Sequence, residues 1–236
     1  MKWLRTLILF DKGNIMSSED WELVHRSYKN AIEEIYHPLG SSSLTIRRKA
    51  MRSGSTQFNR NGVGFLRSNF LRNMVDIEGW QPEGNVDLGR DRQQPEICLY
   101  PSRDLYREPI AAGFGGFDFL TTAPDGLKVA IEWETGNISS SHRSMNKLAI
   151  ALKTGIIQAG ILILPSRELY VHLTDRIGNI SELSGYLEMW ESLKSTVSQG
   201  LLAITVVEHD YLSDDPDLPY LPTGNDGRAA QGRARG

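Results

Sequence analysis

The chain predicts an α/β fold, a central mixed β-sheet flanked by helices on both sides, and three observations carry that reading. Two β-rich segments, Gly115 to Thr122 and Leu127 to Thr135, are joined by Pro124-Asp125-Gly126, a strong hairpin signal. A fully apolar run from Gly160 to Leu164 has the length and composition of a buried strand, and Leu201 to Val207 is a further strand. Stretches with helical periodicity precede these strands and separate them.

In chain order, the first element is an amphipathic helix over Ser17 to Tyr36. Ser18 is its cap, Asp20 and Glu22 lie in the first turn, and Trp21, Val24, Tyr28, Ile32 and Ile35 recur at helical spacing. Pro38-Leu39-Gly40 ends it. Serines and basic residues follow, then a second helical stretch near Val63 to Val75. Residues 79 to 113 are rich in Gly, Pro, Gln, Asp and Arg and read as irregular surface with short strands. After the hairpin, Ser139 to Lys153 is a helix with serine caps and Met145, Leu148, Ala149 and Leu152 on one face. Ser181 to Leu193 is another helix. One domain is expected over 1–222. From Gly224 apolar content nearly vanishes, so 223–236 is expected to be a disordered tail.

Composition narrows the function classes. With 40% hydrophobic and 23% charged residues the chain has ordinary globular usage and can bury a core. Cys98 is the single cysteine, so neither an internal disulfide nor a cysteine-based zinc site can form. Leu7 to Phe10 is too short for a signal-peptide core, and Ile161 to Leu164 is too short to span a membrane. A cytoplasmic protein with no membrane partner is expected. The formal net charge of −3 argues against a general nucleic-acid binder, but its distribution does not. Ile35 to Val75 contains no acid, yet carries Arg47, Arg48, Lys49, Arg52, Arg60, Arg67 and Arg72. Thr135 to Arg167 likewise has no acid and holds Arg143, Lys147, Lys153 and Arg167.

The chemistry concentrates on the hairpin. Side chains alternate along a strand, so Glu132 and Glu134 share a face while Val129, Ile131 and Trp133 point to the other. A hairpin closed at Pro124 to Gly126 brings Asp118 near Glu132 across the ladder. Three crowded carboxylates repel one another and invite a hard divalent cation such as Mg²⁺, which prefers oxygen ligands. The reaction class that follows is metal-assisted attack of water on phosphate. Alternating glutamates on a solvent-facing strand are also a common surface pattern. A glycosidase is a competing reading, since glutamates two apart on a strand lie about 7 Å from each other. Aromatic sugar platforms would then be expected, and Trp133 faces away.

Asp118 followed by Glu132-Trp133-Glu134 resembles the motif of the PD-(D/E)XK nuclease superfamily, with Glu134 where that superfamily usually has lysine, as in its BamHI/BglII branch. Phe117-Asp118-Phe119-Leu120 is similar to the corresponding strand of that branch. Asn137, Ser139 and Arg143 follow Glu134 at spacings that match it, and so does Asp175-Arg176. The resemblance covers roughly residues 114 to 190 and is looser before them.

The resemblance implies a type II restriction endonuclease, Mg²⁺-dependent, cutting double-stranded DNA at a short GATC-centred palindrome, with GGATCC as leading candidate. It implies a catalytic trio of Asp118, Glu132 and Glu134. Asp118 and Glu132 would hold metal, with Glu83 as an upstream acidic ligand and Glu78 its rival. It implies DNA-binding roles for Asn137, Ser139, Arg143, Asp175 and Arg176, in keeping with arginine on guanine, asparagine on adenine and aspartate on cytosine. A homodimer is expected through helices near 140–154 and 181–195, because a two-fold protein matches a two-fold site. A cognate DNA methyltransferase is expected as genetic partner. A sequence-specific binding protein without cleavage and a non-specific repair nuclease of the same superfamily are the alternatives.

Overall fold

The computed structural model describes residues 1–84, 86, 96–105, 115–174 and 177–222. Its elements are, in chain order, β1 (Lys2–Lys12), α1 (Glu19–Glu33), β2 (Thr45–Arg47), β3 (Ala50–Met51), β4 (Phe58–Asn59), α2 (Gly64–Asp76) and β5 (Pro82–Gly84). There follow β6 (Phe117–Thr122), β7 (Lys128–Trp133), α3 (Ile138–Lys153), β8 (Ala159–Pro165), α4 (Arg167–His172), α5 (Ile180–Leu183), α6 (Leu187–Ser192), β9 (Gly200–Glu208) and β10 (Tyr211–Ser213). The expected tail at 223–236 lies outside the described residues.

The main sheet has the order β1-β9-β8-β7-β6-β5. Strands β7, β8 and β9 are parallel; β1, β6 and β5 join antiparallel at the two sides, so the sheet is mixed as expected. Every residue of β8 is buried, as an apolar strand between two parallel neighbours requires. Helices cover both faces. On one, Val24, Tyr28 and Ile32 of α1 and Leu66, Phe70 and Met74 of α2 pack on Val129, Ile131, Trp133, Ile161 and Ile163. On the other, Met145, Leu148 and Leu152 of α3 and Trp190 of α6 pack on Ala130, Leu162, Leu164, Leu202 and Ile204.

The hairpin is fixed from α1. Ser18 caps that helix through Trp21 N–H, and Asp20 in its first turn is only 3% exposed. The Asp20 carboxylate accepts the backbone N–H groups of Asp125 and Leu127, each at 3.0 Å, so a buried charge is satisfied by the turn it shapes. Gly126 sits at φ 102°, a left-handed conformation that glycine adopts without strain.

Three sequence expectations are corrected. β1 lies in a segment read only as an apolar start. The helix at Ser181 to Leu193 is broken into α5, a 3-10 turn at Ser184–Tyr186, α6 and a second 3-10 turn. The cap of α3 is Asn137, not a serine: its side chain accepts from Ser140 N–H at 3.0 Å.

Candidate active site

The register of the hairpin pairs Phe119 with Ile131, which places Asp118 beside Glu132 on the next rung. Asp118 Oδ2 accepts the Trp133 N–H at 2.8 Å, and Oδ1 accepts from Arg67 Nη2 of α2 at 2.6 Å. Glu132 shares its face with Ala130 and is 7% exposed, paired with the ammonium of Lys147 from α3. Lys147 also donates to the Gly116 carbonyl at 2.6 Å and sits 4.7 Å over the Phe117 ring. Glu134 is 8% exposed and stands just past the end of β7, where its own N–H still pairs with Ile163. Its carboxylate accepts the Gly136 N–H at 2.6 Å and the Ser144 hydroxyl at 3.1 Å. Trp133 lies on the opposite face, stacked on Phe70 and turned away from these acids.

The acids sense one another. Burial pushes the Glu132 carboxyl up to about 7; Lys147 pulls it back, while Asp118 and Glu134 push it further. Burial raises Glu134 too, opposed by the Gly136 N–H, Ser144 and Arg143, and reinforced by Asp118. All the side-chain donors here are carboxylate oxygens, and the trio has recruited two cationic side chains. That chemistry suits a hard divalent ion. The ligand set is not closed: among the described residues no three His, Cys, Asp or Glu side chains are placed to hold a metal ion together. The expectation of three acids already gripping one point is thus corrected. The acids share a face, but Arg67 engages Asp118 and Lys147 engages Glu132, so a cation would have to take their places.

Strand β5 pairs Pro82 with Phe119 and Gly84 with Phe117, so the backbone of Glu83 lies opposite Asp118 on the same rung; its side chain is outside the described residues. Glu78 instead lines a cavity of about 390 Å³ with Ser27, Trp80, Thr121 and Pro124, toward the turn end of the hairpin. Asn137 and Ser139 are exposed at the start of α3, and Arg143 is exposed one turn later. Asn137 also bridges to Ile177, which brings the end of the 174–177 segment beside the α3 start. Asp175 and Arg176 themselves lie outside the described residues. Sequence reasoning missed Arg67 and Lys147 as neighbours of the acids. A signal existed for Lys147: it falls on the same helical stripe as Ser144, Leu148 and Ala151, which faces the sheet. For Arg67 none existed, because its partner is distant in sequence.

The chain matches the family described as Restriction endonuclease BamHI over residues 1–228. It is 31% identical over 229 residues to the type II restriction enzyme OkrAI of Oceanobacter kriegii, covering 97% of this chain and 99% of that one. It is 29% identical over 217 residues to the type II restriction enzyme BamHI of Bacillus amyloliquefaciens, covering 92% and 88%. Its fold is similar to that of BglII, solved in complex with a DNA 16-mer, with a TM-score of 0.54 at 10% identity, over 94% of this chain and 88% of that one.

Proposed function

The chain belongs to the restriction endonuclease BamHI family and is a type II site-specific deoxyribonuclease, and on that premise we propose that it hydrolyses double-stranded DNA with Mg²⁺ at the Asp118, Glu132 and Glu134 cluster. The observation that carries this reading is the hairpin register that sets Asp118 beside Glu132 on one face of β6 and β7, with Glu134 just past the strand end on that side. Asp118 and Glu132 would hold the metal, and Glu83, on the same rung of β5, is favoured over Glu78 as an added ligand. A bound Mg²⁺ supplies Lewis-acid stabilisation of the phosphate charge and lowers the pKa of its water. Glu134 takes the proton of the attacking water. Its raised pKa makes it a stronger base than an ordinary carboxylate, and the Gly136 N–H and Ser144 keep it aimed.

The exposed start of α3 faces the duplex in this reading, with Asn137, Ser139 and Arg143 as base or backbone contacts, joined by Asp175 and Arg176. GGATCC is the leading recognition sequence. The enzyme acts as a homodimer in the cytoplasm, with a cognate DNA methyltransferase as genetic partner. Among the described residues no helix is long and apolar enough to cross a membrane.

The test is digestion of plasmid DNA with Mg²⁺ and with EDTA, followed by sequencing of the ends. Discrete fragments with one terminal sequence are expected, and Asp118→Ala or Glu134→Ala should abolish cutting while binding persists. A smear would point to a non-specific nuclease, binding without cleavage to a recognition module. Undiminished cutting by either catalytic variant would remove the site assignment. Arg176→Ala should weaken discrimination by about 1–3 kcal/mol per base contacted.

A further inference from the structure

We infer that the small hairpin of β3 and β4 is a second DNA contact, gripping backbone phosphates through Lys49 and Arg52 beside the duplex segment that meets the carboxylates. This rests on the DNA-cleaving reading above and adds a surface to it. Ala50 pairs with Asn59 and Met51 with Phe58, and every residue from Ala50 to Phe58 is exposed. A two-stranded hairpin without a core of its own is marginally stable in water. This one also carries Met51 at 64% and Phe58 at 39% exposure. Such a ribbon is built to lie against something.

The charge identifies what. Lys49 lies on the Met51–Phe58 face, its ammonium 4.2 Å over the Phe58 ring. Arg52 lies on the other face and donates to Asn59 Oδ1 at 2.8 Å and Gln57 Oε1 at 3.2 Å. Among the described residues neither cation is paired with an acid, whereas the neighbouring Arg48 is tied to Asp214 and Arg47 is turned onto Tyr220. The amide side chains hold the Arg52 guanidinium in place and leave Nη2 for another acceptor. A cation held ready in this way loses little freedom on meeting a phosphate. The stretch from Ile35 to Val75 carries no acid of its own, and Asp214, which reaches it from beyond β10, is taken up by Arg48.

Connectivity places the ribbon on the catalytic side. Two residues after β4, Asn61 is fully buried and donates through Nδ2 to the Arg47 carbonyl at 2.7 Å and the His172 carbonyl at 3.0 Å. Its backbone bridges to Leu173 and accepts Thr174 N–H at 2.9 Å. The base of the ribbon is therefore knotted to the segment entering 175–176, and α2 carries Arg67 from there to Asp118.

The experiment is fluorescence anisotropy of labelled duplexes, one with the cleaved sequence and one scrambled, across a KCl series without Mg²⁺. Each phosphate contact contributes about 0.9 to the slope of log affinity against log salt. The double variant Lys49→Ala/Arg52→Ala removes two contacts from each subunit of the dimer and should flatten that slope by about 3 to 4 on both duplexes. Lys49→Arg/Arg52→Lys, which keeps both charges, should restore it. A wild-type slope in the alanine variant of an enzyme that binds and cuts DNA overturns this inference alone. So does a changed slope that the charge-keeping variant fails to restore, which would mark a structural role. A wild-type chain that binds no duplex overturns it together with the DNA reading.

Discussion

At the scale of single residues, the site works through what holds each carboxylate. A Cβ on Gly136 would stand 2.7 Å from Glu134 Oε1 and 3.1 Å from Ser140 Oγ. Those two contacts are side-chain tips, and Ser140 Cβ, at 3.2 Å, must give by a few tenths of an ångström, so the backbone can accept alanine, but the Glu134 carboxylate must leave the N–H that aims it. Gly136→Ala is expected to lower kcat at least about tenfold with a melting temperature near wild type, because small misplacements of a catalytic group are costly. Equal kcat would show that this hydrogen bond does not position Glu134. Lys147 and Glu132 form a buried pair, and without the ammonium the Glu132 carboxyl takes up a proton while the Gly116 carbonyl loses its donor. Lys147→Met should cost about 1–3 kcal/mol in denaturant unfolding at neutral pH, with a smaller loss when Glu132→Gln is already present. Glu132 also sets a pH dependence. Its folded value, about 7, lies above the ordinary glutamate value of 4.5, so the unfolded chain releases this proton first as pH rises. Its contribution is full below about pH 4.5 and is lost as the pH climbs through about 7. In EDTA, Glu132→Gln should remove this fall from the stability profile, and an unchanged profile would disprove the burial argument.

At the scale of elements, α3 binds the site to the fold. Asn137 caps it, and the turn before the cap supplies the Gly136 N–H to Glu134. Asn137→Ala should therefore cost about 1 kcal/mol of unfolding free energy, while Asn137→Ser, which keeps a capping oxygen, should cost a few tenths. If alanine and serine are equally stable, the cap carries nothing and Asn137 is free for DNA alone. The helices and hairpin were legible because their signals are local: Ser18 before a 3.6-residue stripe, and Pro124-Asp125-Gly126 between alternating strands. β1 was not. Its register shifts between Trp3 and Arg5 and again between Ile8 and Phe10, and such bulges erase the two-residue alternation that marks a strand. Ser181 to Leu193 holds a helical pattern, but Gly185 lies in the 3-10 turn that breaks it. That Asp118 and Glu132 sit side by side on one face was legible through alternation and the hairpin turn. Their cationic partners were not, since Arg67 reaches Asp118 from 51 residues away.

At the scale of the molecule, the two faces of the sheet divide the labour. The face under α1 and α2 is a closed core. The face under α3 and α6 is closed where Met145, Leu148, Ala151 and Leu152 meet the strands, each of them 0% exposed. Of the residues the sequence puts on this face, Met145, Leu148 and Leu152 are spent on the core, and Ala151 takes the place expected of Ala149, which is half-buried. A dimer through these helices must therefore use their outer sides. There Tyr186 is 45% and Met189 52% exposed, and His142 of α3 sits edge-on to the Tyr186 ring at 4.4 Å. Aromatic and methionine side chains are favoured at interfaces, and in a two-fold contact each substitution counts twice. Trp190, fully buried, anchors α6 from within, so changes on its outer side should leave the fold intact. Tyr186→Glu/Met189→Glu is expected to turn a micromolar dimer into a monomer in sedimentation velocity, with unfolding unchanged at protein concentrations where both chains are monomeric. A variant that still sediments as a dimer would move the interface elsewhere, and a monomeric wild type bound to a palindromic duplex as one copy would end the two-fold reading of how this chain meets its site.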